Sequence, residues 1–379
     1  MPSYINAIGT AVPRHKIEQS SIIHFMAQAH QMQAEEKQRL KALYRASGIK
    51  YRHSVLPDFG LTEGFSFFPD SDSLEPFPSI GERMVLYRKE ALGLSLQAVK
   101  DCLQSQGLVQ TEDITHLIMV SCTGMYAPGV DIGLVNALGL SGSVQRTCIN
   151  FMGCYAAFNA LKAADHIIRA NAQANVLVIC TELCTIHFQK KKDEDTLLAN
   201  ALFADGSAAV LLSSQTEAGK AQLALEQFYC DLAPEGKEDM AWQIGNFGFE
   251  MKLSAYVPEI IRKGIRQLTE RLVNQFSLQS LGLEDDEKAE KIADYFAIHP
   301  GGKRILSVIE EQLEISTDDN RYAYQVLKEF GNMSSPTVLF VLKALLKDLT
   351  LSDHDKQVLS FAFGPGLTLE SMLLRIHSL

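Results

Sequence analysis

Residues 149–158 read INFMGCYAAF, and this stretch marks the point where a strand gives way to a helix. The preceding residues, VQRTCIN, are strand-like, whereas apolar residues recur at helical spacing over 157–168. Gly153 permits a tight backbone turn that a side chain would obstruct. Cys154 is therefore expected at the N-terminus of a buried helix, where the helix dipole favours a thiolate. The alternative is that Cys154 is a small buried hydrophobe, as most unpaired cysteines are.

Five apolar runs indicate strands that are buried on both faces, because they lack polar and apolar alternation. They are HLIMVSCTG (116–124), ANVLVICTE (174–182), SAAVLLSS (207–214), ADYFAIHPGG (293–302) and QVLSFAFGPG (357–366). Helical spacing of apolar residues predicts helices over 90–106, 157–168, 256–276 and 302–313, and another after Ser335-Pro336. Strands that alternate with helices predict an α/β fold.

Two stretches with a glycine turn leading into a strand suggest that the chain consists of two similar halves. ADGSAAVLLSS closes the first half, and FGPGLTLESMLLRI closes the second. We place the boundary so that residues 1–225 form the N-terminal half, which carries Cys154, and residues 226–379 form the C-terminal half.

Composition restricts the class of protein. The 379 residues are 46% hydrophobic and carry a formal net charge of −10, which suits a large core and disfavours a nucleic-acid partner. The start, MPSYINAIGT, does not resemble a signal peptide, and no apolar run has the length of a membrane span. Seven cysteines without CxxC spacing favour reduced thiols and no metal site. We therefore expect a cytoplasmic protein.

Two polar residues are candidate partners for a Cys154 thiolate. His299 ends the apolar run YFAIH before a Pro-Gly-Gly turn, and α/β enzymes place their chemistry at the carboxyl ends of strands. Asn332 lies in FGNMSSP before a predicted helix, where an amide can donate to an anionic oxygen. A histidine satisfied in a core turn and an ordinary helix cap are the respective alternatives.

Together these stretches resemble the type III polyketide synthases, the chalcone synthase family of the thiolase superfamily. The resemblance rests on MGCYAA, IHPGGKRIL, FGNMSSPTVLFVL, FGPGLTLE, ALFADGSAAVLL and GFEMKLSAYVP, and it runs from about residue 4 to the end. The stretches SCTGMYAPGVD and TELCTIHFQ are more similar to the bacterial branch than to the plant branch.

The resemblance implies a thiolase-like, five-layered αβαβα fold, a homodimer, and Cys154, His299 and Asn332 as the catalytic residues. Cys154, as a thiolate paired with an imidazolium of His299, would take an acyl group from an acyl-CoA starter. Malonyl-CoA would then lose carbon dioxide and extend the chain repeatedly before cyclisation. No metal or other cofactor is implied. An acyl carrier protein is an alternative donor of the starter.

The resemblance also assigns residues to the substrate cavity. Phe203 is expected to be one gate residue, and Met251 stands at the second gate, with Phe249 two residues away as a substitute. The positions expected to shape the cavity are Cys122, Thr123, Ala127, His187 and Ser334. A small residue at 127 suggests room for a longer chain, and hence a fatty acyl starter and an alkylpyrone or alkylresorcinol product. The larger side chain at 187 argues against a roomier pocket there.

The coenzyme A phosphates need cations, which this family supplies from the helix before SGIKYR. Arg39 matches one of the basic positions, and Arg45 is a nearby candidate, whereas two other positions are Ala42 and Ala46.

Three other functions are alternatives. A ketoacyl synthase III-like enzyme that makes a single condensation would share the triad, but its typical His-Gln-Ala-Asn sequence is His-Pro-Gly-Gly here. A hydroxymethylglutaryl-CoA synthase is a weaker match. A catalytically silent dimeric scaffold is disfavoured because all three candidate catalytic residues are present.

Overall fold

The computed structural model describes residues 2–71, 73–254, 256–280 and 292–378. Its strands are β1 Ser3–Ala11, β2 His15–Glu18, β3 Tyr51–Ser54, β4 His116–Ser121, β5 Gln145–Asn150, β6 Val176–Leu183, β7 Asp205–Ser213, β8 Gln222–Leu232, β9 Met240–Gly245, β10 Gly248–Leu253, β11 Tyr295–Ile298, β12 Gln357–Gly364 and β13 Thr368–His377. Its helices are α1 Gln19–Ala29, α2 Ala34–Ala46, α3 Ile80–Gln104, α4 Val130–Leu138, α5 Ala156–Ala170, α6 Glu194–Leu202, α7 Val257–Ser280, α8 Lys303–Leu313, α9 Arg321–Phe330 and α10 Thr337–Asp348.

Nine of these strands form one mixed sheet that repeats its own pattern. The order is β11-β12-β13-β8-β1-β7-β6-β4-β5. Reading outward from the centre, β1-β7-β6-β4 in the first half corresponds to β8-β13-β12-β11 in the second. The two halves join through a short antiparallel pairing in which Ser3 lies opposite Leu225. The internal similarity expected from the two strand-closing stretches is therefore present in the topology.

The sheet and helices form five layers. One apolar core lies between the two halves and contains the buried faces of α5 and α10 together with strands from both halves. A second core packs α1 and α3 against the outer face of the first half. A third packs α7 and α8 against the outer face of the second half. The α/β class and the five-layered, thiolase-like arrangement predicted from the sequence are thus confirmed.

The predicted elements are present, with shifted ends. All five predicted strands and all five predicted helices form, and each overlaps its predicted stretch. The helix predicted over 90–106 begins earlier, at Ile80, because Ser79 and Glu82 form a capping box. The proposed boundary between residues 225 and 226 falls inside β8, which pairs with β1 on one side and β13 on the other. The boundary itself stays a prediction.

Over the described ranges, none of the helices combines the length and the apolar character that crossing a membrane would take.

Two glycines near α3 make a matched test of this packing. A Cβ atom on Gly9 of β1 would lie 2.1 Å from the Ala98 carbonyl oxygen and 2.2 Å from the Cys102 nitrogen, so α3 would have to move. Gly93, within α3, has no atom within 4 Å of a Cβ position. We expect Gly9→Ala to lower the free energy of unfolding by about 3 kcal/mol. Gly93→Ala should raise it by about 1 kcal/mol, because alanine favours helix.

Chemical denaturation of the two variants beside the wild type measures both values. Equal effects of the two substitutions would contradict the close approach of β1 and α3.

Candidate active site

The turn that carries Cys154 has the geometry expected from its sequence. Gly153 has a φ of +78°, and a Cβ atom there would lie 2.2 Å from Cδ of Pro365. The Gly153 N–H donates to the Cys122 Sγ at 2.9 Å, which fixes the turn from behind. Cys154 follows in a short 3₁₀ turn, Gly153–Tyr155, that leads directly into α5. Its thiol is therefore held at the start of a buried helix.

His299 and Asn332 come from the second half of the chain. His299 directly follows β11, and its backbone N–H donates to the Phe361 carbonyl oxygen of β12 at 2.8 Å. Asn332 follows α9 and Gly331, whose φ of +71° ends that helix. Both side chains are buried.

These three residues line one cavity together with the two predicted gate residues. Cys154, His299, Asn332, Phe203 and Met251 are among the residues that line this cavity, whose volume is about 20 Å³. That volume holds about one water molecule. The Cys154 Sγ lies 4.0 Å from the Asn332 Oδ1. The fold thus brings the three candidate catalytic residues to one small, closed site.

Burial holds both titratable partners in their neutral forms. Burial raises the pKa of Cys154 to about 11, and the negative charge of Glu182 adds to the effect, although a hydrogen bond from Ser334 opposes it. Burial also lowers the pKa of His299 to about 3. The expected lowering of the thiol pKa by the helix N-terminus is therefore wrong for this closed site, because desolvation outweighs the dipole. The resting pair is a thiol and a neutral imidazole.

Neither ring nitrogen of His299 has a hydrogen-bond partner within the described part of the chain. A buried imidazole without partners costs free energy that a substrate can recover by hydrogen bonding. Both a lone pair and an N–H of His299 are consequently available for chemistry in the cavity.

The orientation of the Asn332 amide is fixed by its surroundings. The Ser334 backbone N–H donates to the Asn332 Oδ1 at 2.8 Å, so the oxygen must face that donor. The Nδ2 group donates to the Gly301 carbonyl oxygen at 3.4 Å. Since an amide NH₂ has two hydrogens, one remains for a substrate oxygen.

A second, apolar cavity adjoins the first through the same gate residues. Its volume is about 50 Å³, and Phe203 and Met251 line both cavities. The apolar side chains of its wall include Ile17, Ile22, Met26, Phe59, Phe188, Ala199, Trp242 and Phe249. Phe203 and Met251 therefore lie between the Cys154 cavity and this second cavity, and their role as gate residues stays a prediction.

His187 and Phe249 form part of the wall of the second cavity. Their rings stack at 4.2 Å with an interplanar angle of 6°, and Trp242 meets both edge to face. The His187 Nε2 lies 2.7 Å from the Thr123 carbonyl oxygen, and the Phe249 N–H donates to the His187 Nδ1 at 2.9 Å. Because Nδ1 accepts, the imidazole is neutral with its proton on Nε2, and burial lowers the pKa of His187 to about 3.

The other predicted cavity residues line neither of the two cavities, although three of them support the site. Thr123 donates its hydroxyl to Glu182 at 2.7 Å. Cys122 holds the Gly153 turn, and Ser334 supports Cys154 and Asn332. Ala127 is exposed on the surface of this single chain.

The predicted coenzyme A residues lie on the exposed side of α2. Arg39 forms an ion pair with Glu35 at 2.6 Å, and both side chains are 79% exposed. Arg45 is exposed in the last turn of α2.

Sequence reasoning missed three residues that shape the site. Trp242 donates its indole N–H to the Cys122 carbonyl oxygen at 2.7 Å, and it is the only tryptophan of the chain. Glu182 is an acid at the end of the apolar run ANVLVICTE, a position that could have drawn attention. Arg52, in SGIKYR, gave no signal of its own that it lines the second cavity.

Comparison with known proteins places this geometry in a family. The family model for the N-terminal domain of chalcone and stilbene synthases matches residues 2–216, and the model for their C-terminal domain matches residues 224–378. A crystal structure of the C-terminal type III polyketide synthase domain of Steely1, a type I/III hybrid from Dictyostelium, is 30% identical with a TM-score of 0.88. The superposition covers 99% of each chain.

Two curated relatives extend the comparison. Probable polyketide synthase 1 of Dictyostelium discoideum is 31% identical over 98% of this chain, which spans only 11% of that protein's length. The alpha-pyrone synthesis polyketide synthase-like Pks18 of Mycobacterium tuberculosis is 30% identical over 98% of this chain and 91% of its own. The chain therefore belongs to the chalcone and stilbene synthase family, the type III polyketide synthases.

Proposed function

We propose that this polyketide synthase extends an acyl-CoA starter with malonyl-CoA units on Cys154, with His299 and Asn332 as its catalytic partners. One observation carries the proposal. Three side chains from distant parts of the sequence line one small cavity, and Phe203 and Met251 line both that cavity and an apolar one.

The first step is acyl transfer from the starter thioester. The lone pair of neutral His299 accepts the Cys154 proton, so that thiolate and imidazolium form together. The sulfur attacks the thioester carbonyl, a new thioester bond forms, and the bond to the coenzyme A sulfur breaks. The imidazolium returns its proton to the leaving sulfur. Closure by Phe203 and Met251 keeps water from hydrolysing the acyl-enzyme.

The second step is decarboxylative condensation. Malonyl-CoA loses carbon dioxide, and the electron pair of the broken carbon–carbon bond forms an enolate. N–H groups of His299 and Asn332 stabilise the enolate oxygen. The enolate carbon attacks the Cys154 thioester, which forms a carbon–carbon bond and expels the Cys154 sulfur. The lengthened chain, now on coenzyme A, returns to Cys154 for another round.

The lining of the second cavity supports an aliphatic starter. Its wall is mainly apolar, and flexible side chains such as Met26 and Met251 can shift to admit a longer chain. We propose an alkylpyrone or alkylresorcinol product. The relative named for alpha-pyrone synthesis favours the pyrone, in which an enol oxygen attacks the terminal thioester and releases coenzyme A.

The end of α2 is the better candidate for binding the coenzyme A phosphates. Gly48, just beyond α2, packs beside Lys303, since a Cβ on Gly48 would lie 3.3 Å from the Lys303 Cδ. Gly301, two residues before Lys303, lines the Cys154 cavity. This proximity supports Arg45 over Arg39, because Arg39 lies farther from the end of α2 and is paired with Glu35. An acyl carrier protein remains an alternative donor.

A labelled-substrate assay tests the proposed reaction. We expect radiolabelled malonyl-CoA, offered with acyl-CoA starters from acetyl to long-chain, to give labelled pyrones or resorcinols. The label should disappear from products with Cys154→Ala, which lacks the nucleophile. Products limited to a single condensation would instead favour the ketoacyl synthase III-like function. Turnover of only short or aromatic starters would contradict the alkyl product.

The role of His299 predicts a change in the reactivity of the Cys154 thiol. In His299→Ala no neighbouring base takes the proton of Cys154, whose pKa burial raises to about 11 in the wild type. We expect iodoacetamide to alkylate Cys154 at pH 7 about 10-fold or more slowly than in the wild type. The rate should rise with pH, because the thiolate forms only as pH approaches that pKa.

Mass spectrometry of the Cys154 peptide separates this reaction from alkylation of the exposed Cys148 and Cys230. His166→Ala is the matched control, because His166 is an exposed residue of α5, the helix that follows Cys154. An unchanged rate in His299→Ala would show that His299 does not serve Cys154.

The sheet edge at β5 supports the homodimer. β5 is the last strand of the nine-stranded sheet, and five of its six residues are exposed. An exposed edge with unpaired backbone groups is a template for another chain. We propose that a second copy covers this edge, and we expect a mass of about twice 41.9 kDa in sedimentation equilibrium at micromolar concentration. A monomer under those conditions would contradict the dimer.

A further inference from the structure

Arg52 is a buried cation whose hydrogen bonds converge on the gate. It lies on β3 and is 4% exposed. Its Nη1 donates to the carbonyl oxygens of Asn200 and Phe203, each at 2.7 Å. Its Nε donates to the Gln19 Oε1 at 2.9 Å. Burial lowers the pKa of Arg52, yet an arginine so far above neutrality keeps its charge.

The two carbonyl groups belong to the end of α6. The last carbonyls of a helix have no partner within the helix, and they carry the negative end of its dipole. A guanidinium there satisfies the carbonyls and compensates the dipole. Gln19 adds a third bond, from its Nε2 to the Ala201 carbonyl oxygen at 2.7 Å. Arg52 and Gln19 thus determine where α6 ends, and so where the backbone of Phe203 lies.

The aliphatic part of the same side chain contacts the Asn332 segment. A Cβ on Gly331 would lie 3.0 Å from Cγ and 3.3 Å from Cδ of Arg52. Gly331 directly precedes Asn332, whose backbone N–H donates to the Leu202 carbonyl oxygen at 3.0 Å. The Ala204 N–H donates in return to the Asn332 carbonyl oxygen at 2.8 Å. Arg52 therefore contacts both segments that this backbone bridge joins.

We propose that Arg52 is a positioning residue that fixes the Phe203 gate and the Asn332 donor relative to each other. The inference rests on the proposed function. Decarboxylation and carbon–carbon bond formation stay coupled only while Asn332 holds the enolate and Phe203 excludes water. If either shifts, the enolate takes a proton from water, and malonyl-CoA is converted to acetyl-CoA and carbon dioxide without extension.

Arg52→Lys tests the proposal because it keeps the charge and loses the fork of donors. The planar guanidinium of Arg52 donates to two carbonyl groups and to Gln19. The single ammonium of lysine cannot reproduce these three contacts. We expect kcat for polyketide formation to fall about 10- to 100-fold, as a misplaced catalytic group does. The acetyl-CoA released per carbon–carbon bond formed should rise.

Arg83→Lys is the matched control. Arg83 is also fully buried and donates to backbone carbonyl groups, those of Pro78, Ile186 and Phe188. None of these acceptors lies in the segments that carry Phe203 or Asn332. We expect Arg83→Lys to lower thermal stability about as much as Arg52→Lys and to leave the ratio of acetyl-CoA to condensation unchanged. Equal ratios in the two variants would overturn the proposal.

Hydrogen exchange gives a measurement that does not depend on turnover. In Arg52→Lys the amides of Ala204 and Asn332 should exchange about 10-fold faster or more, because their bridge opens more often. Wild-type exchange at both amides would refute the role of Arg52, whatever happens to activity. Conversely, a wild-type protein that forms no polyketide would refute the proposed function. The exchange rates of the two amides would still test whether Arg52 positions these segments.

A second variant covers the case in which Arg52→Lys does not fold. Gln19→Met removes the Oε1 that accepts from the Arg52 Nε and the Nε2 that donates to the Ala201 carbonyl oxygen. The size of the side chain changes little. We expect the same two changes, faster exchange at Ala204 and Asn332 and more acetyl-CoA per condensation, in smaller measure. A folded Gln19→Met protein that shows neither of these changes would also refute the proposal.

Discussion

Two backbone hydrogen bonds join the halves of the molecule at the site. The Ala204 N–H donates to the Asn332 carbonyl oxygen, and the Asn332 N–H donates to the Leu202 carbonyl oxygen. Through them the segment that ends α6 in the first half is aligned with the segment that starts α10 in the second. Phe203 and Asn332 face the same cavity because of this alignment.

A second connection between the halves runs through Glu182. This buried carboxylate accepts from the Cys122 N–H at 2.9 Å, the Thr123 hydroxyl at 2.7 Å and the Ser335 hydroxyl at 2.6 Å. Ser335 lies in the loop of Asn332, whereas Cys122 holds the turn of Cys154. The carboxylate therefore ties the support of Cys154 to the support of Asn332, and burial raises the pKa of Glu182 to about 7.

Desolvation governs the chemistry of the closed site. The same burial that excludes water from an acyl-enzyme makes separate charges on Cys154 and His299 unfavourable. One proton transfer creates both charges at once, and their attraction is strong where water is absent. The site thus favours a charge on Cys154 only together with an opposite charge on His299.

Of the thirteen strands and ten helices that the structure describes, the sequence by itself determined five of each, together with the candidate catalytic residues. Local patterns in a sequence record contacts between residues that are close along the chain. Apolar runs, helical spacing and the Gly153 turn are patterns of this kind. They predicted the five strands, the five helices and the candidates Cys154, His299 and Asn332. They did not predict the hairpin β9–β10, which carries Trp242 and Met251, because its residues alternate neither cleanly nor in helical spacing.

Only the tertiary structure decided the walls of the second cavity, the neutral state of the resting thiol and the position of Arg52. The second cavity is lined by residues from Ile17 to Met251, so its shape depends on how α1, β3, α6 and the β9–β10 hairpin pack. The pKa values depend on how much water the whole fold excludes, which no local pattern records. The hydrogen bonds of Arg52 to the Asn200 and Phe203 carbonyl oxygens form only in the folded chain, because these acceptors lie about 150 residues away in the sequence. Local sterics act along the chain, whereas cavities and desolvation arise from contacts between its distant parts.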